Sequence, residues 1–332
     1  MGNDAISIRG VTKRFGEDKT AVDTLDLSVP TGSLCGFLGP NGAGKTTTIR
    51  MVMSIFPPDE GSIEVLGKTA MDAKDRIGYL PEERGVYRKM RVGEFLQYVA
   101  TLKNVPVTEA RDRIKHWLDR VGLGAEIKKR CEELSKGMQQ KVQFLASILH
   151  EPELIILDEP FSGLDPVNAR LLRTLIDELH QEGRTIIFST HVLASAEEIC
   201  DRVFMIHRGR KMLDGGVDAV RDRFDPKTIV VEPIAGDVGR NGLMDSLRTM
   251  GGIDEVHSLG DRSGSVEAHI TDHSDPRSLM GQILESPDVR GVRLRKASLQ
   301  DIFISLVEPG EGEESLRASL GSESTEEVTA NA

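Results

Sequence analysis

Two short stretches of this sequence carry residues suited to phosphate chemistry. The run Gly39-Pro40-Asn41-Gly42-Ala43-Gly44-Lys45-Thr46 fits the pattern G-x-x-x-x-G-K-[ST]. Its glycines let backbone N–H groups turn inward and cradle anionic oxygens at the start of a helix. Lys45 is placed to reach the terminal phosphates of a nucleotide, the Thr46 hydroxyl to ligate Mg²⁺, and Thr47 stands beside them. Leu154-Ile155-Ile156-Leu157-Asp158-Glu159 is a buried-type strand that ends in two acids, both aimed at the edge where an open α/β sheet binds ligands. Asp158 would hold the metal directly or through water, and Glu159 would polarise an attacking water. Either stretch alone is common, but together they describe a site that hydrolyses a nucleoside triphosphate.

These residues need a scaffold, and the pattern of apolar residues supplies one. In the first half, short strands at residues 7–11, 25–29, 34–38, 62–65 and 77–80 alternate with a helix over 46–55 that closes at Pro57-Pro58. From about 92 to 150 the texture turns helical: Phe95, Leu96, Val99, Ala100 and Leu102 recur at helical spacing, as do Ile114, Trp117, Leu118 and Val121. Trp117 lies within that stripe and is expected in the core. Strands return at 154–157, 185–189 and 202–207, the first a continuous apolar run suited to the middle of a parallel sheet. Asp165-Pro166 reads as an N-cap with proline at the first helical position, opening a helix over 167–181. Beyond about 216 the order becomes strand, helix, strand, strand, helix, strand, helix, with strands at 228–232, 256–259, 265–270 and 289–296 and a last helix at 299–306. That order suits a ferredoxin-like α+β unit, with turn chemistry at Asp225-Pro226 and Asp261-Arg262-Ser263-Gly264.

Composition narrows the setting. The 332 residues carry a net charge of −11, of which the last 25, with seven Glu and one Arg, account for −6. A body this mildly acidic lacks the broad basic surface of a protein that tracks phosphate backbones, so no nucleic-acid partner is expected. The Glu-, Ser- and Gly-rich stretch 308–332 has the composition of a solvated, disordered tail. No apolar run approaches the roughly 18 residues of a spanning helix, and Met1-Gly2-Asn3-Asp4 opens no secretory signal. Cys35, Cys131 and Cys200 are far apart and form neither a CxxC pair nor a disulfide framework, which fits a reducing, cytoplasmic setting. The histidines show no paired metal spacing, Cys35 reads as core packing, and Ser162 lacks a G-x-S-x-G frame.

Phosphate loops and acid pairs are shared by kinases, GTPases, helicases and many ATPases. The run Leu134-Ser135-Lys136-Gly137-Met138-Gln139-Gln140, ahead of the acid pair, resembles the signature motif of ATP-binding cassette (ABC) ATPases, usually LSGGQ. Further motifs follow that family's order. Phe15 resembles its adenine-stacking aromatic, Tyr79-Leu80-Pro81-Glu82 occupies its Q-loop, Ser162-Gly163-Leu164-Asp165 its D-loop, and Ser189-Thr190-His191 its switch histidine. The resemblance covers about residues 5–215. It departs at Glu82, where the family most often has Gln, and in the signature, where Lys136 replaces Gly and Met138 precedes the glutamines.

The resemblance implies a P-loop NTPase (RecA-like) α/β core with a β subdomain and a helical insert over about 92–150, together making up residues 1–218. A small C-terminal α+β domain at 219–307 and the acidic tail would complete the chain. It further implies ATP and Mg²⁺ as cofactors, with Thr46, Asp158 and Glu82 on the metal, Glu159 and His191 in catalysis, and Ser135, Gly137 and Asp165 acting across a dimer. In that family two copies face head-to-tail, ATP sits between one copy's phosphate loop and the other's signature, and a separate transmembrane permease completes the transporter. The chain would then lie on the inner face of the cell membrane through that permease. Leu80-Pro81-Glu82-Glu83-Arg84-Gly85-Val86-Tyr87, Gln140-Lys141-Val142-Gln143-Phe144 and Leu299-Gln300-Asp301-Ile302-Phe303 look like the ATPase subunits of bacterial sodium- or drug-extruding exporters, whose C-terminal domain would support or regulate the dimer. The competing reading is a soluble ABC ATPase acting on ribosomes or DNA. A single cassette, no sustained heptads and an acidic balance speak against it. A nucleotide switch without hydrolysis is disfavoured by the presence of both Glu159 and His191.

Overall fold

The computed structural model describes residues 4–16, 19–83, 85–234, 239–259, 264–271 and 273–307. The tail at 308–332, Arg84 and the turn residues 261–263 therefore lie outside the described residues. The chain divides into two compact units, Met1–Val217 and Asp218–Ala332.

In the first unit, β1 (Asp4–Phe15) and β2 (Lys19–Pro30) form a long antiparallel hairpin, much longer than the short strands expected at 7–11 and 25–29. Buried Ala5, Ile6 and Val22 extend the core-facing side beyond the expected strands, while polar residues such as Lys19, Thr20 and Asp23 between and beyond them interrupt the apolar signal. β3 (Leu34–Leu38) leads through the glycine-rich turn into α1 (Lys45–Val52), and β4 (Glu60–Val65) pairs with β1, giving a three-stranded sheet in the order β2-β1-β4. α1 stops before the expected end at 55. Ser54 takes a left-handed φ of +52°, and Ile55 N donates back to Arg50 O at 2.9 Å, closing the helix and turning the chain toward β4.

After α2 (Ala70–Ala73) and β5 (Ile77–Leu80) come the insert helices α3 (Val92–Leu102), α4 (Val107–Arg120) and α5 (Lys136–Ile148). β6 (Leu154–Asp158), α6 (Pro166–Gln181), β7 (Thr185–Thr190), α7 (Leu193–Ile199), β8 (Arg202–His207) and β9 (Arg210–Gly216) complete the unit. The strands form a six-stranded sheet ordered β5-β6-β7-β3-β8-β9, parallel except for the β8–β9 edge. Leu154, Ile155, Ile156 and Leu157 are fully buried, as a central parallel strand requires. One apolar cluster joins the two sheets through α1, with Ile6, Ile8, Val29, Phe37, Ile49 and Ile156 at its centre. Cys35 packs there, and burial pushes its thiol up to about 11. Trp117 is not a core residue. It is half-buried, with the Arg120 guanidinium 5.0 Å from its ring and His116 edge-on to it, because helical spacing places it at the rim of the apolar stripe.

In the second unit, α8 (Val217–Arg223) leads into β10 (Thr228–Pro233), α9 (Arg240–Arg248), β11 (Ile253–Ser258), β12 (Val266–Ile270), α10 (Pro276–Leu284), β13 (Val289–Arg295) and α11 (Leu299–Val307). The sheet order β11-β12-β10-β13, all neighbours antiparallel, is the split βαβ arrangement of a ferredoxin-like unit. Its core sets Ile229, Val231, Val256 and Ala268 against Leu243, Leu247, Leu279 and Ile283 of the two helices.

Candidate functional site

The turn between β3 and α1 depends on glycine at two points. Gly39 has φ +154°, and a Cβ there would come within 2.2 Å of Ile206 O; Gly44, at φ +111°, would meet Ala21 O at 2.6 Å. This tight backbone brings the start of α1 to the C-terminal edge of the parallel sheet, where β6 delivers its two acids. The result is a cleft of about 370 Å³ lined by Phe15, Lys19, Ala21, Asn41, Gly42, Ala43, Gly44, Lys45, Thr46, Thr47, Glu82, Asp158 and Glu159.

Lys45 is 6% exposed and folds back on its own loop, its Nζ donating to Gly39 O at 2.6 Å and Pro40 O at 3.2 Å. Burial lowers its pKa, while Glu159, Asp158 and Glu82 oppose the shift. Asp158 is buried and neither carboxylate oxygen has a hydrogen-bond partner. Burial raises its pKa first; the Ser189 and Thr46 hydroxyls lie near enough to favour the anion without closing a regular hydrogen bond, and Glu82 and Glu159 push it further up. An orphaned buried carboxylate beside a threonine hydroxyl fits a hard cation. No group of three or more His, Cys, Asp or Glu among the described residues is arranged to hold a metal, so Asp158 and Thr46 would leave most of such a cation's shell to other oxygen ligands.

Glu159 is buried and sits at φ +49°, a costly conformation for a residue with a Cβ, fixed by its N–H donating to Ser189 O at 2.9 Å. Its carboxylate accepts three hydrogen bonds: from His191 N at 2.8 Å, from His191 Nδ1 at 2.6 Å and from Thr190 Oγ1 at 3.0 Å. The 2.6 Å contact with an acceptor-only carboxylate places a hydrogen on Nδ1.

The structure thus gathers Phe15, the loop from Asn41 to Thr47, Glu82, Asp158 and Glu159 around one cleft, with His191 hydrogen-bonded to Glu159 and Gly39 and Pro40 reached by the Lys45 ammonium. It does not bring Ser135, Gly137 or Asp165 to it. Ser135 caps α5, its Oγ accepting from Met138 N at 3.3 Å, and is exposed. Asp165 caps α6, accepting from Asn168 N at 3.0 Å, and those Asn168 bonds hold its carboxyl below the usual range. The two caps are neighbours, since a Cβ on Gly137 would lie 3.5 Å from Leu164 and 3.7 Å from Asn168. Sequence reasoning missed Lys19, which lines the cleft cross-strand from Phe15, and also Ser189 and Thr190. The motif Ser189-Thr190-His191 contained the last two, but only the parallel pairing of β6 with β7, Asp158 beside Ser189, gives them a role.

Comparison with known proteins agrees with this geometry. Residues 22–162 match the ABC transporter family, and residues 215–307 match the C-terminal domain described as ATP-binding protein DrrA1-3-like. The ABC transporter ATP-binding protein YhaQ of Bacillus subtilis (strain 168) is 38% identical over 303 residues, covering 91% of this chain and 98% of that one. The Nod factor export ATP-binding protein I of Ralstonia nicotianae is 31% identical, covering 91% and 93%. A solved structure titled as the ATP-binding subunit of an ABC transporter superposes with a TM-score of 0.62 at 30% identity, covering 66% of this chain and 93% of that one. The chain belongs to the ATP-binding proteins of ABC transporters and is an ATPase.

Proposed function

We propose that this chain hydrolyses MgATP at a head-to-tail interface between two copies and thereby drives export through a separate membrane permease. The observation that carries the reading is Glu159, buried at the end of β6 beside the phosphate loop and clamped by His191 and Thr190.

Phe15 would stack on the base, and the N–H groups from Asn41 to Thr47 would surround the phosphates at the positive end of α1. Lys45 would exchange its loop carbonyls for phosphate oxygens. Thr46 and Asp158 would hold Mg²⁺, with Glu82 in the same cleft; bound there, the cation neutralises charge on the β- and γ-phosphate oxygens. Water then attacks the γ-phosphorus, the bond to the bridging β–γ oxygen breaks, and the water's proton passes to the Glu159 carboxylate. His191 would keep that carboxylate oriented. Ser135 and Gly137, which no single chain brings to its own cleft, would present the N-terminus of α5 to the partner's γ-phosphate, with Asp165 linking the sites. Loss of the γ-phosphate removes that anionic anchor and parts the copies.

Export is supported by likeness over 91% of the chain to the Nod factor export ATP-binding protein I. No helix among the described residues is long and apolar enough to cross a membrane, so work on a bilayer calls for a permease, which would hold the chain at the cytoplasmic face. The relatives named above are transporter subunits, which disfavours a ribosome- or DNA-acting ATPase. An affinity-tagged Glu159→Gln chain expressed in its native cell tests the reading. With MgATP it should retain nucleotide, lose turnover by a factor of at least 10², and bring down a polytopic membrane protein. Turnover at the parent rate, or recovery with no membrane partner, would overturn it.

A further inference from the structure

Phe15 is 45% exposed for a ring at the end of a strand, and it lines the cleft. Its position is fixed from outside the cleft. The Phe56 ring meets it edge-on, with centroids 5.8 Å apart and planes at 84°. Lys13 keeps only 12% of its side chain exposed, and its Nζ lies 5.9 Å from the Phe15 centroid and 5.4 Å from that of Phe56. That ammonium is itself anchored, donating to Asp59 Oδ1 at 2.8 Å and Pro57 O at 2.9 Å.

The segment that carries Phe56 is stitched to β1 by two further bonds: Arg14 N donates to Asp59 Oδ2 at 2.7 Å, and Asp59 N to Thr12 O at 2.9 Å. Phe56 reaches this place because α1 closes at Val52 and the left-handed Ser54 turns the chain back toward β1. A half-exposed aromatic gains little from its own burial, so nothing in the hairpin's packing calls for so many restraints on one ring. A ring that must meet a flat ligand with one open face does call for them, since ordering it beforehand removes the entropy cost at binding.

We propose that Phe56, Lys13 and Asp59 form a rigid mount that presents one face of Phe15 to the nucleotide base, making them positioning residues for nucleotide affinity. The inference rests on Phe15 being the base-stacking ring. The mount acts on the base alone, because none of its members lines the cleft along the phosphate loop.

The test compares the full chain with Phe15→Ala, Phe56→Ala, Phe56→Tyr and Lys13→Met, titrating each by calorimetry with ATP and with inorganic tripolyphosphate and measuring KM and kcat. Phe56→Ala should raise the ATP dissociation constant and KM about two- to tenfold, the range an aromatic pair supports. Tripolyphosphate affinity and kcat should stay unchanged, and Phe56→Tyr should restore ATP affinity. Lys13→Met should show the same pattern and decides the matter if Phe56→Ala does not fold. An ATP affinity that falls with Phe15→Ala but not with the mount variants overturns the mount and leaves the stacking role of Phe15 intact. An equal loss for ATP and tripolyphosphate shows general disruption and also overturns it. Unchanged ATP affinity in Phe15→Ala removes the stacking reading and the mount with it.

Discussion

Glu82 changes the charge balance of the cleft. With glutamine there, two carboxylates would face Lys45; here Glu82, Asp158 and Glu159 all line the space that receives the phosphates. Each negative charge repels metal-free nucleotide, and the same carboxylate attracts a divalent cation. Metal dependence of binding is therefore expected to be steep. In a chelator, Glu82→Gln should tighten ATP binding by about three- to tenfold at low salt, while with Mg²⁺ its affinity should equal or fall below that of the parent. Calorimetry in both buffers checks this, and identical chelator affinities for parent and variant would show that Glu82 faces away from the phosphates. This position was readable in the sequence because it sits in a motif. Lys19 was not, and Thr190, though inside a motif, had no legible partner, since both partners are set by strand register. Thr190 bonds a carboxylate 31 residues earlier in the chain, and Lys19 faces Phe15 across a hairpin. Spacing along the chain carries no trace of either.

The helical insert shows the same limit one level up. Its apolar periodicity foretold α3 and α4, yet a polar pin, which periodicity does not show, joins the apolar packing at the ends of α3 and α5. Lys103 Nζ, at the end of α3, donates to Lys74 O at 2.5 Å and Ile77 O at 2.9 Å, and His150 Nε2 meets the same Ile77 carbonyl at 3.0 Å. His150 Nδ1 is buried without a partner, so the charged ring is penalised. Burial first, and the Lys103 charge second, push its pKa down to about 4. A base whose pKa is depressed in the fold takes up protons more readily when unfolded. Its contribution is thus complete above about pH 6.5 and is lost as pH falls toward about 4. Between pH 7.5 and 5 this single group should account for about 2 kcal/mol of lost stability. His150→Gln, which can keep a donor to Ile77, should lessen the acid sensitivity by that amount. Urea midpoints at the two pH values measure it, and parallel slopes for parent and variant would remove His150 from the pin.

Across the entire chain, the arrangement that matters most is a separation. The α/β order and the βαββαβ order foretold the six-stranded and four-stranded sheets, because alternation of strand and helix restricts topology to few choices. The family resemblance that marks the cleft also marks Ser135, Gly137 and Asp165, yet Ser135 and Asp165 cap α5 and α6, Gly137 stands in the first turn of α5, and none of the three lines the cleft. Under the proposed head-to-tail arrangement, a second copy would supply these three residues to the cleft. Gly137 is the point at which to test this, because it is half-buried at the start of α5 and a Cβ there would make only ordinary contacts with Leu164 and Asn168. Gly137→Asp should therefore fold, and its carboxylate would oppose any γ-phosphate offered to that helix end. In the hydrolysis-deficient Glu159→Gln background, ATP affinity of the monomer should stay within about twofold of the parent, while MgATP-driven dimerisation should weaken at least about tenfold, as a like-charge contact at an anion site implies. Light scattering on a size-exclusion column separates the two species. A Gly137→Asp chain that still dimerises with MgATP would mean that the nucleotide is completed by some other surface, and the head-to-tail arrangement would fall even though the cleft, its phosphate loop and its buried acids stayed as they are.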